Sequence, residues 1–463
     1  MGLTSILRAF AAMLLFISMG MLAPLVLAIV GGEANAGPFL FGVIGTLIAG
    51  SGAWAASIGL RPRADFRGAL IIILLWWTII PAFAAVPLAL ESGNFGNAYF
   101  DAIAAVTTTG GWLSPSAASA SSAALLWRIE LQWVGGFASI AIAAAIFIRP
   151  TFIGIDTLMP PFSRGEEDNF LRPLRNALYA FAPVYIVITF FAAALLTASG
   201  INGFEAVLMA MSGIASGGYL PGEGVPGVFT RYTLFVLFIL MIFSGANFVV
   251  IARIFRGAKE RVRDIETGTY LAMLAFVSVF FWVLAGAGDV DLIFLQAFNA
   301  VSMLSTSGFV LGEAPPLSAL LVTAMIGGAA VSTAGGLKIL RWLVIMRRGR
   351  EELRRLVDPR AVFGHRQVSN ELGVWIHFLV FTMTLAALVI VLAIGNHPFE
   401  LAATAAVSAI ANAGPLIYLV VEEGQGYAAI AEPYRWALAA AMVLGRLEAA
   451  VALALINRWF WRA

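Results

Sequence analysis

Hydrophobic positions along this chain do not recur against a polar face. They run on in long blocks, parted by shorter stretches that hold most of the charge. A membrane helix needs ~20 apolar residues to cross ~30 Å of hydrocarbon. Ten blocks meet that length, at about 9–30, 38–60, 69–90, 123–148, 177–199, 231–254, 269–287, 317–345, 373–395 and 434–457. The first follows Arg8 and precedes Ala34-Asn35-Ala36, which imitates a secretory leader. Its apolar run is about twice the usual ~7–15 residues and a second block follows at once, so it is read as a retained helix.

Composition removes the soluble alternatives. Of 463 residues, 61% are apolar and 12% charged, against ~45–50% and ~25% in soluble chains. There is no Cys to staple a small fold or ligate zinc. The net charge of +2, with scattered Arg, gives no footprint for nucleic acid. The basic residues orient the spans. Arg61, Arg63 and Arg67 follow the second, Arg164, Arg172 and Arg175 the fourth, Arg253 to Arg263 the sixth, and Arg347 to Arg360 the eighth. The intervening loops 31–37, 91–122, 200–230, 287–316 and 396–433 carry no Lys or Arg. The positive-inside rule then predicts both termini in the cytoplasm, as an even number of spans requires.

The four longest outward loops repeat one another. Each holds an apolar segment too short to cross, ending in small residues and glycine. Phe100-Asp101-Ala102-Ile103 leads to Thr107-Thr108-Thr109-Gly110, and Phe204-Glu205-Ala206-Val207 leads to Ile214-Ala215-Ser216-Gly217. Phe298-Asn299-Ala300-Val301 leads to Ser305-Thr306-Ser307-Gly308, and Phe399-Glu400-Leu401 to Ala411-Asn412-Ala413-Gly414. Ten helical residues cover ~15 Å, so each segment ends near mid-membrane. Non-helical backbone at that depth survives only inside protein or along a wet cavity. Four such turns around one axis form a ring of carbonyl oxygens able to replace the hydration shell of a monovalent cation. The expected fold is an all-α polytopic membrane protein. Four parallel span–pore-helix–filter–span repeats at 61–150, 176–258, 267–347 and 370–463 surround a pseudo-fourfold pore, after a two-helix hairpin at 1–60.

Two further features lie inside spans. The eighth is interrupted by Gly327-Gly328-Ala329-Ala330-Val331-Ser332-Thr333-Ala334-Gly335-Gly336-Leu337-Lys338, which lacks the Gly-Lys-Ser/Thr order of a phosphate loop. Its place just cytoplasmic of the third filter stretch suits a mobile segment that closes the pore. Arg446 stands in the last span, where a charge must face the interior and find a partner. Glu448, two residues on, lies on another side of the helix and does not supply one. His365, His377 and His397 form no ligand or triad spacing, and no enzyme chemistry is expected.

With these residues in view, the sequence resembles the Trk/Ktr/HKT superfamily of potassium transporters, most closely TrkH-type subunits. The resemblance rests on the filter stretches, Met211 to Tyr219, Leu131-Gln132-Trp133-Val134-Gly135-Gly136, the glycine break with Ser332, Thr333 and Lys338, and Gly445-Arg446-Leu447-Glu448. It implies K+ as the transported ion, held by the four stretches, with glycine at the key position of each (Gly110, Gly217, Gly308 and Gly414). It implies an intramembrane gate built from Gly327, Gly328, Ser332, Thr333, Gly335, Gly336 and Lys338, with Arg446 narrowing the path. It also implies a homodimer in the bacterial inner membrane with a cytoplasmic, nucleotide-binding TrkA-like regulatory subunit. Val331 and Ala334 stand where such loops usually have glycine, which implies a stiffer gate. Trp112 and Ala413 are further departures. The rival reading is a secondary carrier coupling a monovalent cation to an organic solute, which would need a committed polar cluster at the repeat interface.

Overall fold

The computed structural model describes residues 3–33, 35–59, 66–113, 121–147, 171–220, 229–257, 264–286, 290–358, 368–422 and 424–447, which form helices, turns and no strand. Expectations for Arg61, Arg63, Arg164, the basic run at 258–263, Arg360 and the chain beyond Leu447 lie outside these residues. Six helices or near-continuous helix pairs are long and apolar enough to cross a membrane, among them Thr4–Val30, Gly68–Ser92, Pro173–Ala198 and Gly373–Ile394. Large apolar side chains such as Val30, Phe190 and Phe276 point outward from them, as a hydrocarbon solvent allows.

Between the spans sit four short helices, Phe95–Val106, Gly203–Ile214, Val290–Leu304 and Phe399–Ile410. Their starts are locally encoded: Asn94 Oδ1 caps the first through Asn97 N (3.0 Å) and Asn202 Oδ1 the second through Phe204 N (2.9 Å). The first and fourth are buried along nearly their whole C-terminal halves.

Two apolar cores hold the assembly. One joins the N-terminal hairpin to the first and last repeats, through Leu14, Trp77, Ile103, Ala406 and Tyr427. The other joins the middle repeats, through Tyr185, Met209, Leu240, Phe281 and Val301.

One expected span is bent. Residues 231–254 do not form a continuous helix: Arg231–Gly245 and Phe248–Phe255 meet at 108°. Asn247 starts the second piece, its Oδ1 accepting from Val249 N at 3.0 Å. The carbonyls stranded at the end of the first piece are met from elsewhere. Gly245 O accepts from Ala329 N (2.8 Å), Ser244 O accepts from Thr333 N (3.1 Å), and Phe248 N donates to Val331 O (2.8 Å). The bend is therefore filled by the glycine-rich segment of the eighth span. That segment is non-helical as expected, lying between Leu317–Ile326 and Ile339–Val357. The final described helix, Glu432–Arg446, ends at the arginine.

Candidate functional site

All four short helices end in the same turn. The first residue past each helix is Thr107, Ala215, Ser305 or Ala411, and the next is left-handed: Thr108 (φ 53°), Ser216 (54°), Thr306 (59°) and Asn412 (54°). Side-chain-bearing residues hold this conformation at a cost of roughly 1–3 kcal/mol each, and for the β-branched threonines it is a true outlier. The turn is held by an amide returning to the helix: Thr109 N to Ala104 O, Gly217 N to Ser212 O and Ser307 N to Ser302 O, each 2.8 Å, and Ala413 N to Ser408 O, 2.9 Å.

This pattern resets one register. Equivalent positions are Thr107/Ala215/Ser305/Ala411 through Gly110/Gly218/Gly308/Gly414. Gly217 falls in line with Thr109, Ser307 and Ala413, and Ile214 is the last residue of its helix. The pair Gly217-Gly218 offers two candidates, and only the backbone distinguishes them.

In that register the four turns close a ring. A Cβ added to Gly110 would lie 1.7 Å from Gly217 O, and one on Gly218 would lie 2.1 Å from Ser307 O. One on Gly308 would lie 2.9 Å from Ala413 O, and one on Gly414 2.4 Å from Thr109 O. Each glycine thus abuts the carbonyl one position earlier in the next repeat, and the fourth returns to the first. Gly414 N also donates to Thr109 O at 2.7 Å. Of the sixteen positions at this ring, all but the half-buried Gly218 are buried. Hydroxyls crowd it: Thr107 Oγ1 lies 2.8 Å from Thr109 Oγ1, and Ser305 Oγ 3.0 Å from Ser307 Oγ. Asn412 Nδ2 donates to Thr109 Oγ1 (2.9 Å).

The segment 327–337 lies buried against this ring and touches the second, third and fourth repeats. Thr333 Oγ1 lies within hydrogen-bond distance of Ile214 O and Ser244 O, both 2.9 Å. Gly335 N donates to Thr306 Oγ1 (2.7 Å), and a Cβ on Gly335 would lie 2.0 Å from Ala411 O. Arg446 joins the segment to the first repeat: Nε donates to Thr107 O (2.6 Å), Nη1 to Thr333 O (2.5 Å) and Ala334 O (3.3 Å), and Nη2 to Thr108 Oγ1. The partners its burial demands are carbonyls and a hydroxyl, which leave its charge in place. Lys338 Nζ turns back onto Ala334 O and Ser332 Oγ, and Ser332 Oγ donates to Ala329 O (2.6 Å). The backbone enters and leaves tightly, since a Cβ on Gly327 would lie 2.2 Å from Gly335 O, one on Gly328 2.7 Å from Gly245 O, and one on Gly336 2.8 Å from Gly327 Cα.

Sequence reasoning assigned no role to three residues that brace this arrangement. Buried Gln132 donates from Nε2 to Gly217 O (3.2 Å) and accepts from Ser212 Oγ (3.0 Å). Glu266 Oε1 accepts from Ala330 N (2.6 Å) and Oε2 from Asn247 Nδ2 (3.0 Å), tying the glycine segment to the bend. Asp101 accepts from Leu113 N (3.1 Å) and pairs with Arg128 (2.7 Å), while its counterpart Asn299 accepts from Leu311 N (2.9 Å). A polar residue on an otherwise apolar helix was the available signal in each case. Among the described residues no group of His, Cys, Asp or Glu could hold a metal ion.

Comparison with known proteins agrees with this architecture along the whole chain. The chain is 27% identical to the Trk system potassium uptake protein TrkI of Halomonas elongata, covering 99% of this chain and 96% of that one. It is 28% identical to the Trk system potassium uptake protein TrkH of Escherichia coli K12, covering both completely. The crystal structure of the potassium transporter TrkH from Vibrio parahaemolyticus superposes with a TM-score of 0.85 at 26% identity, again over all of both chains. The profile of the TrkH family, described as cation transport protein, matches residues 39–296 and 291–454. With four glycine turns closed into one ring and a match of that extent, the chain belongs to the TrkH family of cation transport proteins.

Proposed function

We propose that this chain is the potassium-translocating membrane subunit of a Trk-type uptake system, and that K+ passes through the ring of four turns. The observation that carries the reading is the closed sequence of glycine-to-carbonyl contacts around one axis. Backbone and hydroxyl oxygens crowded there can replace the water that a K+ ion sheds. The filter comprises Thr107–Gly110, Ala215–Gly218, Ser305–Gly308 and Ala411–Gly414, one in each of the repeats at 61–150, 176–258, 267–347 and 370–463. Residues 327–336 with Lys338 are the gate, and Arg446 sets an electrostatic barrier beside it. The chain catalyses no chemical reaction.

The names of the similar proteins support a multi-subunit system. In this reading the chain works as a homodimer among the lipids of the bacterial inner membrane, with both termini cytoplasmic. A nucleotide-binding TrkA-like subunit regulates it from that side. Uptake of ⁸⁶Rb⁺ into proteoliposomes tests the proposal. Uptake that K+ competes away and Na+ does not is the expected result. Uptake that depends on an added organic solute would replace this reading with the cation-coupled carrier.

A further inference from the structure

Behind the fourth turn the chain does not return directly to the membrane surface. It forms two 3-10 helices, Gly414–Leu419 and Gly426–Ala429, whose described residues pack back over the first repeat. Four hydrogen bonds join them. Gly414 N donates to Thr109 O (2.7 Å), Tyr427 N to Trp112 O (3.1 Å) and Ala428 N to Leu113 O (3.2 Å). In the opposite direction Trp112 N donates to the phenol oxygen of Tyr418, at 3.2 Å. The Tyr427 ring fills the space beside Gly111, where a Cβ would lie 1.9 Å from it, and rests 5.4 Å from Phe100.

These bonds fix residues 112–113, which leave the first turn directly. Among the described residues the third turn is held at the corresponding place by its own helix, through Asn299 and Leu311. The first has that internal tie through Asp101 and Leu113 and a second one from the fourth repeat. The fourth turn is also the one that departs from the common backbone. Gly110, Gly218 and Gly308 are left-handed, whereas Gly414 starts a 3-10 helix. The joint between the first and fourth repeats is therefore built differently from the others, and three of these four bonds are backbone to backbone. Tyr418 makes the one side-chain bond among the four.

We propose that Tyr418 is a positioning residue for selectivity, holding the exit of the first filter stretch through Trp112 N and so fixing the width of the ring at the joint between the first and fourth repeats. It touches no ion itself. The inference rests on the ring being the ion filter.

The test is Tyr418→Phe in proteoliposomes, reading the K+ and Na+ concentrations that halve ⁸⁶Rb⁺ uptake. Tyr99→Phe serves as control, because it removes a phenol bond that also ends on the first repeat, to Thr78 O (2.8 Å), away from the ring. The expected result is a fall of about fivefold in preference for K+ over Na+, the effect of one hydrogen bond of about 1 kcal/mol. Thermal stability should match that of Tyr99→Phe, whose ion preference stays with wild type. A second readout is independent of transport: K+ should protect purified wild type against heating more than Na+ does, and Tyr418→Phe should narrow that difference. Unchanged preference in both readouts overturns the inference while K+-competed uptake by wild type leaves the filter reading standing. A wild type without such uptake overturns both.

Discussion

Gly217 and Gly218 are neighbours with different obligations. A methyl on Gly218 would drive into the backbone of Ser307, from a left-handed conformation that already disfavours any side chain. A methyl on Gly217 meets only side-chain atoms, the Gln132 amide and Ser212 Oγ, from a right-handed or extended backbone that tolerates a Cβ. Gly218→Ala should therefore cut K+ over Na+ discrimination by about tenfold or more, equivalent to roughly 1.4 kcal/mol, and Gly217→Ala by much less. Equal effects would return the register to the one the sequence suggests. Gly110→Ser should be harsher than Gly308→Ser, because the clearances to the neighbouring carbonyls are 1.7 and 2.9 Å. Arg446 is the other residue whose effect is separable. Its charge opposes a cation by about 4 kcal/mol at ~4 Å and an effective dielectric of ~20. Both Arg446→Ala and Arg446→Gln should raise ⁸⁶Rb⁺ flux. If only the alanine variant does so, its bonds to Thr107 and Thr333, and not its charge, restrain conduction.

At the scale of elements, the bend at Ser244–Asn247 and the segment 327–338 are one device. Each satisfies backbone groups that the other leaves open, and Glu266 grips both. Thr333→Val keeps the shape and removes the hydroxyl that reaches Ile214 O and Ser244 O. Basal flux should rise severalfold, with the response to a regulator correspondingly smaller; a variant with wild-type flux and regulation would take the gate away from this segment. The glycine break was legible because four glycines interrupt an apolar run. The bend was not, because the runs on both sides of Ser244-Gly245-Ala246-Asn247 are apolar and together reach the length of one span, and hydropathy reports what a segment dissolves in, not which way it points. The four turns were legible as a repeat. Their register failed only where two adjacent glycines offered the same composition at two positions. The braces at Gln132 and Glu266 escaped because each joins one backbone atom, Gly217 O or Ala330 N, to one side chain on another element, Ser212 or Asn247, a pairing that leaves no mark in a sequence.

Across the whole molecule, one apolar core is built mainly from the hairpin with the first and fourth repeats and the other mainly from the second and third, with Leu208 and Tyr219 reaching into the first core and Ile140 and Ala413 into the second. The helix Ile339–Val357 continues directly from the segment 327–338. Toward its end Arg347 and Arg348 are paired with Glu351 and Glu352, while Arg350 and Arg354 are exposed. Neutralising Arg350, Arg354 and Arg355 together should leave basal ⁸⁶Rb⁺ flux unchanged and remove its response to the regulatory subunit. Loss of basal flux instead would mean that this helix end supports conduction directly. When the segment withdraws, the carbonyls of Ser244 and Gly245 and the amides of Ala329 and Thr333 lose one another, and inside a bilayer only solvent can take their places. Conduction and wetting are then a single event, so the open state is the more hydrated one, and lowering water activity with an osmolyte too large to enter should hold the protein closed.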